Sequence, residues 1–88
     1  MYDPVKNERN LAERGMSFDL VEHFDFDTAL TQIDARNAYS ETRYRSLGFI
    51  GDRLCMVAFA LVGSSIRVIS LRKANAREVK RYEQETQS

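Results

Sequence analysis

Apolar positions are sparse at the start of the chain and dense in its middle, and that change of texture divides the sequence into elements. Between Asp3 and Gly15 the apolar residues are chiefly Val5, Leu11 and Ala12, which predicts a helix lying on the edge of a core rather than at its centre. Asp3 is placed to accept from the free backbone N–H groups as N-cap, Pro4 loses no needed donor at the first helical position, and Gly15 supplies the stop. Ser17 begins a second predicted helix. Met16 and Val21 flank its start as a hydrophobic staple, and Leu20, Val21 and Phe24 form its buried stripe.

Thr28–Ile33 (TALTQI) predicts a short strand, followed by a polar loop over Asp34–Glu41. From Arg43 the texture is β. Tyr44–Ile50, a Gly51-Asp52 turn, Arg53–Leu61, a Gly63-Ser64 turn and Ile66–Leu71 predict three antiparallel strands, with TALTQI as a possible fourth. The strand Arg53–Leu61 is apolar at nearly every position, as expected of a central strand covered on both faces. Asn75 opens a last helix, where Glu78 can reach back to complete a capping box. Val79 and Tyr82 form its predicted inner edge, Arg77, Lys80 and Arg81 fall on other faces, and Glu83–Ser88 reads as a frayed tail. The expected class is α+β: two N-terminal helices, an antiparallel sheet of three to four strands and a C-terminal helix.

Composition narrows this picture. With 43% hydrophobic and 30% charged residues, 88 residues fit one globular domain spanning 1–88, with a core small enough that caps, turns and partner surfaces matter. The lone Cys55 sits in the apolar run Leu54–Leu61 and reads as a small buried hydrophobe; a single thiol forms no disulfide within the chain. That run is too short to span a bilayer, and the first residues carry no apolar signal core, so the expected setting is cytoplasmic and away from membranes.

The formal net charge is zero, yet Met1–Glu41 holds nine acids against four bases and Thr42–Ser88 nine bases against four acids. The local field therefore matters more than the sum. Ten of the thirteen basic residues are arginine, whose planar fork grips phosphate oxygens and stacks on bases. Arg43, Arg45, Arg67, Arg72, Lys73, Arg77, Lys80 and Arg81 form a discontinuous basic set suited to RNA, although charge alone fits solvated strand and helix faces better. Arg72-Lys73 stands where a strand hands over to a helix N-terminus, so cations and free N–H groups could converge there on one phosphate. Strand parity complicates the site. In a regular strand Arg67 and Arg72 face opposite ways, so both serve one site only if the strand bulges near Ser70 or the site lies at the strand's open end; otherwise one of them is structural.

Metal-free RNA cleavage needs a base for the 2′-hydroxyl proton, cations for the pentavalent phosphorus and an acid for the leaving 5′ oxygen. Glu41 is a candidate base whose alternative role is pairing with Arg43 or Arg45, and Lys6 and Tyr82 are further proton-transfer candidates. Tyr82 also fits core packing, and Glu78 a cap. His23, the one histidine, sits beside Leu20 and Phe24 on the second predicted helix and reads as structural. No ligand spacing for a metal and no phosphate-cradling glycine loop is present, so no metal or other cofactor is expected.

The order Tyr2-Asp3-Pro4-Val5-Lys6-Asn7, Asn10-Leu11, Gly15-Met16-Ser17-Phe18, Glu41-Thr42-Arg43-Tyr44, Gly48 and Ile66-Arg67-Val68-Ile69-Ser70-Leu71-Arg72-Lys73-Ala74, with Glu78 and Tyr82, resembles the BrnT toxin family over nearly the whole chain. The resemblance implies a RelE-like fold with a short N-terminal strand, and a ribonuclease that stops translation. It also implies a BrnA-like antitoxin, a DNA-binding dimer through which the toxin meets DNA only indirectly, and allows a toxin homodimer within the complex. The matching motif positions are Lys6, Glu41, Arg43, Arg67, Ser70, Arg72 and Lys73. Arg67, Arg72, Glu41 and Lys6 are the expected catalytic set, and Arg43, Lys73, Arg14 and Ser70 the expected RNA contacts. Where the family usually reads Lys-His-Gly, this chain has Glu13-Arg14-Gly15. Arg14 can hold phosphate but shuttles no proton. That departure keeps open an alternative, an inactive relative that still binds an antitoxin or RNA.

Overall fold

The computed structural model describes residues 2–34 and 41–86. Helix α1 (Pro4–Arg14) is followed by a short 3₁₀ helix (Phe18–His23) and strands β1 (Leu30–Ile33), β2 (Arg43–Ile50), β3 (Arg53–Val62) and β4 (Ser65–Lys73), and the described chain ends in helix α2 (Ala76–Thr86). The strands form one antiparallel sheet in the order β1-β2-β3-β4. The expected α+β arrangement is present with four strands. Residues 35–40, most of the polar loop expected over Asp34–Glu41, lie outside the described residues.

Local signals set the helix ends. Asp3 accepts from the Val5 N–H, Pro4 occupies the first turn, and Gly15 ends α1 at φ 70°, its N–H donating to the Leu11 carbonyl. The second helix is 3₁₀ rather than α. Its buried residues Phe18 and Val21, and Phe24 just after it, recur every third position, the period of a 3₁₀ turn, while Leu20 is only half-buried. Strand β1 starts two residues later than TALTQI suggested because Asp25 takes up the chain before it. One Asp25 carboxylate oxygen accepts from the Asp27 N–H and the other from the Thr28 hydroxyl.

Strand β3 carries a core on each face, as its apolar run requires. On one face Cys55, Val57 and Phe59 join Val68 and Leu71 of β4 and Met16, Phe18, Val21 and Phe24 of the N-terminal segment. On the other, Leu54 and Met56 join Leu47 of β2 and Tyr82 of α2. Cys55 is fully buried, and burial pushes its thiol pKa up. Gly48 permits a close approach: a Cβ there would lie 2.8 Å from the Phe24 ring and 2.9 Å from Ala29 Cβ.

The N-terminal segment closes the outer edge of β4. Tyr2 bridges Val68 in parallel, the extent of the short N-terminal strand among the described residues, and buried Asn10 completes the seal. Its amide donates to the Leu71 and Met16 carbonyls, each at 2.8 Å, while its carbonyl oxygen accepts from the Leu71 N–H at 3.3 Å. A side chain thus supplies the ladder bonds a fifth strand would make.

Helix α2 departs from expectation in two ways. Its buried positions are Glu78 and Tyr82, with Val79 exposed. The predicted tail is helical through Thr86, held by an Arg81–Glu85 pair and by the Thr86 hydroxyl donating to the Tyr82 carbonyl; residues 87–88 lie outside the described residues.

Candidate nucleic-acid interface

Register determines which side chains share a face. Residues of β3 pair evenly with β2, so Arg43 lies opposite Ala60 and Arg45 opposite Ala58. On the other side Ala60 pairs with Arg67 and Met56 with Arg72, but the ladder shifts between them: Ala58 pairs with Ser70 and Phe59 with Val68, leaving Ile69 as the extra residue of a bulge. That one-residue insertion reverses parity. Arg67, Ser70 and Arg72 consequently lie on the face of Ala58 and Ala60, while Val68 and Leu71 both turn into the opposite core.

Four arginines meet on this face above two small residues. Arg43 and Arg67 flank Ala60 from β2 and β4, two strand spacings or about 10 Å apart at the backbone. Glu41 bridges them, hydrogen-bonded to Arg67 Nη2 and 3.8 Å from Arg43 Nε. The second pair, Arg45 and Arg72, shares Glu78. Arg72 donates to Glu78 through Nη1 and Nη2 at 2.7 and 2.9 Å, and Arg45 Nη2 lies 3.7 Å from Oε2.

Helix α2 delivers Glu78 to that point. Asn75 accepts from the Glu78 N–H at 2.8 Å and Glu78 accepts from the Asn75 N–H at 3.0 Å, the reciprocal capping box. Hydrogen bonds from Arg72, reinforced by the Asn75 N–H and by the charges of Arg72 and Arg45, outweigh the opposing effect of burial and hold the Glu78 carboxyl at about 2. The strand-to-helix junction expected to gather cations and N–H groups around a phosphate has therefore gathered them around this protein's own carboxylate. The two carboxylates differ in access: the Glu41 side chain is 29% exposed and that of Glu78 11%.

The predicted site residues separate into three places. Glu41, Arg43, Arg67 and Arg72 share the arginine face. Lys6 and Arg14 line a groove between α1 and β4, together with Arg9, Asn10, Glu13, Ile69 and Ser70, so Ser70 stands between the groove and the face. Lys73 does neither: it pairs with Cys55, lies on the opposite face of the sheet from Arg72 and is exposed. Tyr82, weighed as a proton donor, is buried in the second core with its hydroxyl donating to the Thr28 carbonyl. His23 is exposed at the end of the 3₁₀ helix rather than packed beside Phe24. Sequence reasoning missed the pairing of Glu78 with two arginines and the presence of Arg9 in the groove. The first was within reach, because a capping-box glutamate directs its carboxylate back toward the helix start, where Arg72 ends the strand.

The class that fold and site define is a small α+β protein with paired guanidiniums on one sheet face and Lys6, Arg9 and Arg14 beside Glu13 in a groove along the sheet edge. The chain belongs to a family described as ribonuclease toxin, BrnT, of type II toxin–antitoxin system, whose sequence model matches residues 2–78. The match takes in all four arginines of the face and both carboxylates, and membership implies an antitoxin partner. No curated protein matches the chain. Among the described residues no helix is long and apolar enough to cross a membrane.

Proposed function

We propose that the chain, as one toxin domain of RelE-like fold over 1–88, is a metal-independent RNA endonuclease that stops translation in the cytoplasm and is neutralised by a BrnA-like antitoxin. The observation that carries this reading is the convergence of Arg43, Arg45, Arg67 and Arg72 on one sheet face. Four guanidiniums beside Glu41 and Glu78 give that face its cationic groups, fitted to a scissile phosphate and its neighbours.

In the proposed reaction the 2′-hydroxyl oxygen attacks the adjacent phosphorus, the bond to the 5′ oxygen breaks, that oxygen takes a proton from water to leave as a 5′-hydroxyl, and a 2′,3′-cyclic phosphate remains. Arg67, Arg43 and Arg72 stabilise the charge on the pentavalent phosphorus. Glu41 accepts the 2′-hydroxyl proton, because it is the more accessible carboxylate and Glu78 is committed to its cap and two arginines. Lys6, Arg14 and Ser70 hold the RNA backbone where it leaves the face along the α1–β4 groove.

The test is incubation of purified protein with RNA in EDTA. Cleavage to cyclic-phosphate ends, with growth arrest on expression, is expected; RNA left intact in vitro and in growing cells contradicts the enzyme reading. Binding without cleavage would instead match the inactive relative that Arg14, in place of the family's histidine, keeps in view.

A further inference from the structure

We propose that Glu78 is a positioning residue for RNA cleavage, its carboxylate fixing Arg72 and Arg45 on the sheet face from the first turn of α2. The inference rests on the reading above and adds a residue to it that touches no RNA.

Three observations carry it. Glu78 contacts both arginines at once, bidentate to Arg72 and 3.7 Å from Arg45, so a single side chain sets the relation between β2 and β4 guanidiniums across β3. Its own position is over-determined, since the capping box ties it to Asn75 by two hydrogen bonds and its side chain is 11% exposed. Capping does not account for the arginines: the box needs only the oxygen that meets the Asn75 N–H, which a glutamine supplies equally well. Beyond what these pairs add to stability, they have a geometric consequence: two flexible side chains are held ready. Phosphate-stabilising groups placed beforehand act without reorganising during the reaction.

The experiment compares wild type with Glu78→Gln, Glu78→Asp, Asn75→Ala and Arg72→Ala as full-length purified chains, measuring kcat, KM and thermal unfolding on one RNA. Glu78→Gln keeps the cap and loses the charge; Glu78→Asp keeps the charge and loses the reach. Both are expected to lower kcat about a hundredfold while KM changes far less, the signature of misplaced catalytic groups. Asn75→Ala removes the bond to the Glu78 backbone N–H and none that the Glu78 carboxylate makes, so it is expected to lower the melting temperature and leave kcat of the folded protein unchanged. Folded Glu78 variants that turn over like wild type, or an Asn75→Ala variant that loses kcat as they do, overturn the inference, the latter by showing that helix capping suffices. Should a glutamate variant not fold, the other decides. If Arg72→Ala loses cleavage while both glutamate variants keep it, only the positioning role fails; if wild type cleaves no RNA, the functional reading beneath it fails.

Discussion

Arg67 and Arg72 lie five residues apart on β4, yet both stand on the sheet face that carries Ala58 and Ala60 because Ile69 is bulged out of the ladder between them. Had the strand been regular, one arginine would have entered the core that Val68 and Leu71 occupy. The bulge settles the parity conflict in favour of one shared surface.

Although they share a face, the two arginines differ in what their loss does to folding. Arg72→Ala leaves the buried Glu78 carboxylate with only the longer Arg45 contact, at 3.7 Å, among its arginine partners, and should cost about 1–3 kcal/mol. Arg67→Ala leaves Glu41, which reaches water, and should cost less than about 1 kcal/mol. Urea titrations of both variants check this; equal losses would show that the carboxylate environments do not differ as described.

Asn10→Ala should be among the most destabilising polar substitutions. It strips partners from the Met16 carbonyl and from both backbone groups of Leu71 at a buried sheet edge, at a cost of about 3 kcal/mol. Thermal unfolding measures it, and a melting temperature near that of wild type would mean that the N-terminal segment does not seal β4.

Gly48→Ala adds a methyl 2.8 Å from the Phe24 ring and 2.9 Å from Ala29, both close to core positions with little room to retreat. A loss of about 2 kcal/mol is expected from overpacking, read by chemical denaturation. A neutral effect would show that Phe24 and Ala29 yield freely.

Glu78 also predicts an acid response. Its folded pKa, about 2, lies below its ordinary value of 4.5, so its contribution is present above pH 4.5 and is lost as pH falls from there toward 2. The shift corresponds to about 3 kcal/mol. Wild type should therefore lose stability more steeply than Glu78→Gln across that window, and parallel pH profiles would contradict the assignment.

Much of the fold was legible because its signals are local. Asp3-Pro4, Gly15, the turns at Gly51-Asp52 and Gly63-Ser64 and the Asn75–Glu78 box each act within a few residues, and the apolar run of β3 announced a two-faced core. The bulge was legible only as a condition. Ile69 looks like any β-branched strand residue, and only its pairing with β3 decides whether it is skipped. In the same way Lys73 follows Arg72 in sequence but takes the opposite face of the sheet, and the junction's anion proved to be a side chain six residues on. The 3₁₀ turn escaped because a buried stripe over six residues suits either helical period.

The central claim, that RNA is cleaved on the arginine face, is tested most directly by the cleavage rates of Arg67→Ala and Lys73→Ala under conditions where both are folded. Removing Arg67 from the face should lower kcat on the order of a hundredfold or more, whereas Lys73, on the other side of the sheet, should be dispensable. Wild-type cleavage by Arg67→Ala, or equal losses in the two variants, would contradict it.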